Sequence, residues 1–301
     1  MVTGATRFIG LRRYGWLNVL RSNKMSSESC LTLKFWGVRG SIACPGPNTV
    51  RYGGNTSCVE VRCGEHLLIF DAGTGMRELA ADLKLGGPLD AHLFLTHTHL
   101  DHVCGLPFFE PLFRPDTKLK IWGGHVSPKR SVREVLTCLM MDPLWPVQLE
   151  DMKAEITFRD FSAGDSLEPT VGIGVQTVAL NHPNGATGYR VNYRDKSVCY
   201  ITDTEHFPDR IDEDLLSLVR NADILVYDST YTPVDYTNRV GWGHSTWKEG
   251  VKLAKRGGVG RFVVFHHNPA HNDDDMDLIG QEVREVMGSA VVAEEGMVLC
   301  L

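Results

Sequence analysis

The sequence predicts stacked layers of sheets and helices, of α/β or α+β class, and three observations lead there. Short β-rich runs alternate with turns and helical stretches from Leu31 to the C-terminus. In each half the strands come first and the helices follow, which suits mixed sheets covered by helices. No linker, low-complexity tract or sequence repeat divides the 301 residues, so one domain over 31–301 is expected.

In chain order, Leu31 to Phe35, Ser57 to Arg62 and His66 to Phe70 read as strands, the last running into the turn Asp71-Ala72-Gly73-Thr74-Gly75. Met76 to Leu85 has helical spacing, Ala91 to Thr96 and Lys118 to Trp122 are short buried strands, and Ser131 to Met141 is a helix closed by Asp142-Pro143. Strands follow at Val171 to Leu180, Gly188 to Tyr193, Ser197 to Thr202, Ile224 to Tyr227, Arg261 to Phe265 and Gly296 to Leu301. Helices are expected over Glu213 to Arg220, Ser245 to Arg256, with Ser245 as N-cap, and Met276 to Met287. The acids Asp273, Asp274 and Asp275 suit the start of that last helix, where the backbone dipole favours negative charge. Between Gly123 and Val147 a mixed helix carries Leu136, Leu139, Met140, Met141, Leu144 and Trp145, the pattern of a hydrophobic lid or a homodimer surface.

A formal charge of −6 gives no electrostatic reason to expect a large nucleic acid as the main partner. No apolar run approaches the roughly 18 residues of a membrane span, so no membrane partner is expected. The eight cysteines form no Cys-x-x-Cys pair and several stand inside apolar runs. They read as buried free thiols in a reducing, cytoplasmic setting. Residues 1–30 are expected to be a disordered N-terminal extension. They carry Arg7, Arg12, Arg13, Arg21 and Lys24 with no acid before Glu28, and an organellar presequence is the alternative reading. Met25 is a candidate start. The run Gly4-Ala5-Thr6-Arg7-Phe8-Ile9-Gly10 imitates a dinucleotide-binding turn, but no strand precedes it and Arg7 stands where a glycine must approach phosphate.

The chemistry is concentrated in His97-Thr98-His99-Leu100-Asp101-His102, directly after the apolar run Leu93-Phe94-Leu95. Neutral imidazole and carboxylate are ligands that suit zinc, iron or manganese. His97 and His99, two apart, point the same way from an extended segment, and Asp101 and His102 fall at the start of the next turn. Four further residues each follow an apolar run: Asp71, His182, Asp203 and His266. His267 competes with His266, which is favoured because it comes first after its strand. Asp228 closes the run Ile224-Leu225-Val226-Tyr227, and His244 lies in Gly241-Trp242-Gly243-His244-Ser245-Thr246.

The His-x-His-x-Asp-His run resembles the signature of the metallo-β-lactamase superfamily, and the resemblance extends over 31–301 in the expected order. It implies an αββα sandwich holding two divalent ions, zinc in the first place, with manganese or iron as alternatives. One ion would be held by His97, His99 and His182, the other by Asp101, His102 and His266, with Asp203 shared. Two ions sharing a carboxylate acidify water and polarise a substrate oxygen. Asp71 would accept the distal N–H of a ligand histidine, or pin its own turn, or both.

Gly243-His244-Ser245-Thr246 resembles the motif of the ribonuclease Z and phosphodiesterase branch, where the histidine, oriented by an acid from a preceding strand, assists the leaving oxygen. That assigns catalysis to His244, Asp228 and Asp101. Trp36-Gly37-Val38-Arg39-Gly40-Ser41 and Arg51-Tyr52-Gly53-Gly54-Asn55 resemble a bacterial group of phosphodiesterase-like hydrolases. Arg39, Arg51 and Asn55 are candidates to meet a phosphate or line the mouth, with turn formation as the alternative. His125, His206 and His271 read as loop or rim residues. The function implied is metal-dependent hydrolysis of a small phosphodiester, such as a cyclic nucleotide. The alternatives are tRNA 3′-end processing, which normally needs a long Gly- and basic-rich arm, and ligand sensing without catalysis.

Overall fold

The computed structural model describes residues 30–83 and 87–301; the expected N-terminal extension, apart from its last residue, and the end of the Met76–Leu85 helix lie outside the described residues. Two seven-stranded sheets form the centre. The first is built from β1 (Leu31–Gly37), β2 (Cys58–Cys63), β3 (His66–Phe70), β4 (Leu89–Leu95), β5 (Thr117–Gly123), β6 (Glu155–Asp160) and β14 (Val298–Cys300), in the order β14-β1-β2-β3-β4-β5-β6. The second is built from β7 (Ser166–Thr170), β8 (Ile173–Leu180), β9 (Ala186–Tyr193), β10 (Lys196–Ile201), β11 (Ile224–Asp228), β12 (Arg261–Phe265) and β13 (Val291–Val292), in the order β13-β12-β11-β10-β9-β8-β7. Each sheet is antiparallel on one side and parallel on the other. The parallel strands are β3 to β6 in the first sheet and β10 to β13 in the second. The two halves therefore share one plan without sharing a readable sequence repeat.

Helices cover both outer faces: α1 (Met76–Leu83), α2 (Leu100–Val103) and α3 (Val132–Leu139) come from the first half, and α4 (Glu213–Val219), α5 (Pro233–Tyr236), α6 (Trp247–Gly257) and α7 (Asp273–Val286) from the second. The layer order is the αββα sandwich expected. Side-chain alternation explains it. On β11, Ile224 and Val226 face the inter-sheet core with Phe35, Phe70 and Tyr200, while Leu225 and Tyr227 face the outer core with Trp247 and Val251. A strand covered on both faces has no polar side to show, hence the unbroken apolar runs in the sequence. Leu67, Ile69, Leu93 and Ile121 pack outward against Met76, Leu79, Val132 and Leu136.

Several expectations need correction. Strands β6, β7 and β13 were not legible: β6 is a half-exposed edge, β7 contains Pro169, and β13 has two residues held by pairing with β12. The N-cap of α6 is Thr246, whose hydroxyl accepts from Glu249 N at 3.2 Å; Ser245 instead bonds to Tyr227 and His206. The stretch from Gly123 to Val147 is helical only over α3. Leu136 and Met140 are buried in the core, Trp145 packs on Phe108, and of the six apolar residues expected to form a lid Met141 and Leu144 are exposed. All eight cysteines are free thiols; Cys58, Cys63 and Cys199 are buried, and Cys138 and Cys300 are exposed. No helix among the described residues is long and apolar enough to cross a membrane.

Candidate metal centre

The parallel strands of both sheets deliver their carboxyl ends to one place, the position where open α/β sheets bind ligands. Asp71 follows β3, His97 follows β4, Asp203 follows β10, Asp228 ends β11 and His266 follows β12. Asp71, Asp203 and His266 all take left-handed φ, at 61°, 58° and 61°. Asp and His tolerate that region better than most residues, and such strain concentrates at functional sites. The backbone turn is what swings each side chain off its strand and into the cluster.

The structure gathers the residues expected to hold metal into two adjoining groups. His97, His99 and His182 form one; Asp101, His102, Asp203 and His266 form the other, and within each group the ligand atoms lie within 4.8 Å of one another. Asp203 faces both. Its Oδ1 is 3.8 Å from His97 Nε2 and 3.7 Å from His182 Nε2, and its Oδ2 is 3.1 Å from His102 Nε2 and 3.2 Å from His266 Nε2. His102 Nε2 is also 3.2 Å from Asp101 Oδ2.

The donor chemistry fits divalent cations. Buried Nε2 atoms of His97, His102 and His266 have no hydrogen-bond partner, and an unpartnered buried polar atom is costly unless something else satisfies it. Each ring is held from its far side. His102 Nδ1 donates to Asp71 Oδ2 at 2.9 Å, and His182 Nδ1 to the Gly243 carbonyl at 2.8 Å. Thr96 Oγ1 donates to Asp71 and accepts from His97 Nδ1 at 3.1 Å. Thr230 Oγ1 donates to Asp228 and accepts from His266 Nδ1 at 2.9 Å. With Nδ1 carrying the proton, Nε2 keeps its lone pair toward the cluster, the arrangement that outer-shell partners impose on metal-binding histidines. His99 presents Nδ1 instead, 3.1 Å from His182 Nε2.

Burial by itself would raise Asp203, but the facing imidazoles of His266, His102 and His97 hold it well below the usual carboxylate range. Burial pushes His97 well down. For His102, burial is outweighed by the charges of Asp203, Asp101 and Asp71, which raise it well above the ordinary value. A divalent cation held here would take the place of the proton that these carboxylates favour on His102.

His244 and Asp228 stand beside this cluster. His244 Nδ1 lies 2.9 Å from Asp228 Oδ2, and its ring is 5.0 Å from that of His266 and 5.3 Å from that of His182. Burial lowers the imidazole, but the Asp228 charge and hydrogen bond, with Asp203, raise it to about 9. Asp228 is itself fixed by Thr230 Oγ1 at 2.7 Å and by the Thr204 and Thr230 amides.

Other expectations resolve differently. His267 turns away and bonds to the Ala293 carbonyl through Nε2 at 2.7 Å, so His266 alone of the two joins the cluster. Arg39 does not line the mouth: it is fully buried and ties down the carbonyls of Gly53, Asn268 and His271. Arg51 pairs with Asp274 and Asp277, and Asn55 with Glu295. The phrase around Gly40 matters in another way. A side chain on Gly40 would collide with the His266 ring, and Ser41 N donates to Asp101 Oδ2 at 2.8 Å. His125, expected as a loop residue, lies closer in, with Nε2 2.9 Å from Thr98 Oγ1 and its ring 6.4 Å from His97. His206 bonds to Ser245 and His271 to Asp235, away from the cluster.

Sequence reasoning missed Thr96, Thr230, Tyr200, whose hydroxyl donates to Asp71 Oδ2 at 3.0 Å, and Glu205. The carboxylate of Glu205 accepts from Gly241 N at 2.7 Å, Gly243 N at 2.8 Å and Tyr236 Oη at 2.8 Å, which fixes the loop carrying His244. The only signal was its place two residues after Asp203.

Comparison with known proteins agrees with the geometry. The family profile described as Beta-lactamase superfamily domain matches residues 66–267, a span that includes every residue of both clusters and the Asp228–His244 pair. Ribonuclease Z of Myxococcus xanthus is 25% identical over 289 residues, covering 80% of this chain and 91% of that protein. Among solved structures, the metallo-β-lactamase fold protein YhfI from Bacillus subtilis superposes with a TM-score of 0.68 at 18% identity, covering 91% of this chain and 100% of that one. A diphosphatase from the PhnP family superposes with a TM-score of 0.67 at 20% identity, covering 89% and 97% respectively.

Proposed function

Because the chain belongs to the β-lactamase superfamily and falls in its ribonuclease Z-like branch, we propose that this metal-dependent hydrolase is a dinuclear phosphodiesterase acting on a small phosphodiester such as a cyclic nucleotide. The observation that carries the reading is the Asp228–His244 pair beside the two-part cluster. His97, His99 and His182 would hold one ion, Asp101, His102 and His266 the other, and Asp203 both. Bound divalent ions acidify water and polarise a phosphoryl oxygen.

The residues of the chain supply the remainder. Asp228 keeps His244 in one orientation and favours its protonated form, so the imidazolium has an Nε2–H to give to a departing alkoxide. Asp71, Thr96, Thr230 and the Gly243 carbonyl orient the imidazoles of His102, His97, His266 and His182. Such a proton donor has value for an alkoxide leaving group, as in a phosphodiester. A thiolate departs without a proton, so thioester hydrolysis gives no reason for this pair.

The relatives named ribonuclease Z favour a second reading, tRNA processing. Against it stands the segment between β5 and β6, which packs a short helix and turns on the core instead of extending a basic arm. The two separate in a screen of metal-loaded protein against cyclic nucleotides, bis(p-nitrophenyl) phosphate, a tRNA precursor, a β-lactam and a thioester. Turnover of the small phosphodiesters without cleavage of the precursor is expected. Precursor cleavage with no small-phosphodiester activity would reverse the assignment, and turnover of only the lactam or thioester would remove it.

A further inference from the structure

Trp242 is 60% exposed, although an indole is among the largest apolar side chains a protein can leave in water. Its backbone is not loose. The amides on either side, Gly241 N and Gly243 N, donate to the two oxygens of Glu205 at 2.7 and 2.8 Å. Glu205 is 8% exposed, and charge-assisted bonds in such a place are strong. Both glycines take positive φ, at 86° and 84°, which other residues resist. A Cβ on Gly243 would also lie 2.5 Å from His182 Nδ1, so the loop needs glycine there to press against the centre. The result is a clamped turn that thrusts one indole outward.

The position is informative. The two neighbours of Trp242, Gly241 and Gly243, though not the indole itself, line an open cavity of about 390 Å³ together with Val240, Glu205, His182 and Pro183. That volume lies within the range of small-molecule sites. The guanidinium of Arg239 sits 5.0 Å from the indole centroid, a cation–π contact, while the residue as a whole stays 60% exposed. A rigid indole backed by a cation, beside a phosphate-processing centre, suits the flat heteroaromatic base of a nucleotide.

We propose that Trp242, backed by Arg239 and held by Glu205, is the base-stacking subsite, and that the substrate's phosphodiester is borne by a nucleoside. This rests on the phosphodiesterase reading and narrows it. Trp242 binds the base and takes no part in bond breaking; Glu205 is a positioning residue.

Equilibrium dialysis of AMP and of ribose 5-phosphate against the metal-loaded protein tests the subsite without relying on turnover. The wild-type chain is expected to bind AMP more tightly than ribose 5-phosphate by roughly ten- to a hundredfold, the usual value of one stacked base. Trp242→Ala should remove that preference and Trp242→Phe should retain most of it, with ribose 5-phosphate affinity unchanged in both. Equal binding of the two probes by the wild type, or a preference that survives in Trp242→Ala, overturns the subsite. That outcome alongside phosphodiester turnover leaves the wider reading intact. A preference lost in Trp242→Ala alongside no phosphodiester turnover overturns the wider reading and keeps the nucleotide subsite.

Discussion

Asp203→Asn is expected to strip both halves of the centre at once and to lower kcat roughly 10³-fold or more, the equivalent of the several kcal/mol that metal stabilisation provides. The reason is geometric: one carboxylate oxygen faces His97 and His182, the other faces His102 and His266. Asparagine is the informative substitution because it retains the side-chain shape and tolerates the φ of 58° at this position, where alanine would add backbone strain. Elemental analysis checks the first half of the expectation and steady-state kinetics the second. Retention of a full metal complement by the variant would mean that Asp203 is not shared.

His244→Ala is expected to lower kcat by roughly 10²–10⁴-fold, the range a general acid supplies, with the metal content of the wild type. The loss should shrink for p-nitrophenolate, which departs without a proton, and remain large for an alkoxide. Asp228→Asn should give a smaller defect in the same direction, since it weakens the 2.9 Å contact to His244 Nδ1 without removing the imidazole. An equal loss for good and poor leaving groups removes the general-acid role. Loss of metal in His244→Ala would instead make the imidazole a ligand, which its distance from His182 and Asp203 permits.

Much of this site was legible because its residues are short-range or sit at apolar run ends. His97, His99, Asp101 and His102 fall within six residues, and two-residue spacing on an extended segment already aligns the first pair. Asp71, His182, Asp203, Asp228 and His266 each close or follow a strand, so the same signal that found the strands found the side chains. What failed to show depends on distant contacts. Glu205 reads as an acid in a turn, and its three donors lie 31 to 38 residues further along. Thr96 and Thr230 are ordinary strand-end hydroxyls until tertiary packing brings an imidazole and a carboxylate to each. Arg39 invited a phosphate because arginine does so in general, yet it is fully buried, with Nε and Nη1 donating to backbone carbonyls. The fold shows the same division. β11 and β12 announce themselves as apolar runs, whereas β13 exists only through its pairing with β12. Among the described strands the proline-bearing β7 pairs only with β8, with a register shift between Leu167 and Thr170.

A metal titration of chelator-stripped protein with zinc, manganese or ferrous ion tests directly whether the centre is a dinuclear phosphodiesterase site. Bound metal and turnover of bis(p-nitrophenyl) phosphate and a cyclic nucleotide are read on the same samples. Turnover is expected to be absent in the stripped protein, to rise with bound metal and to level off at about two ions per chain. Full turnover without metal, or none on either phosphodiester once both ions are bound, would contradict that assignment.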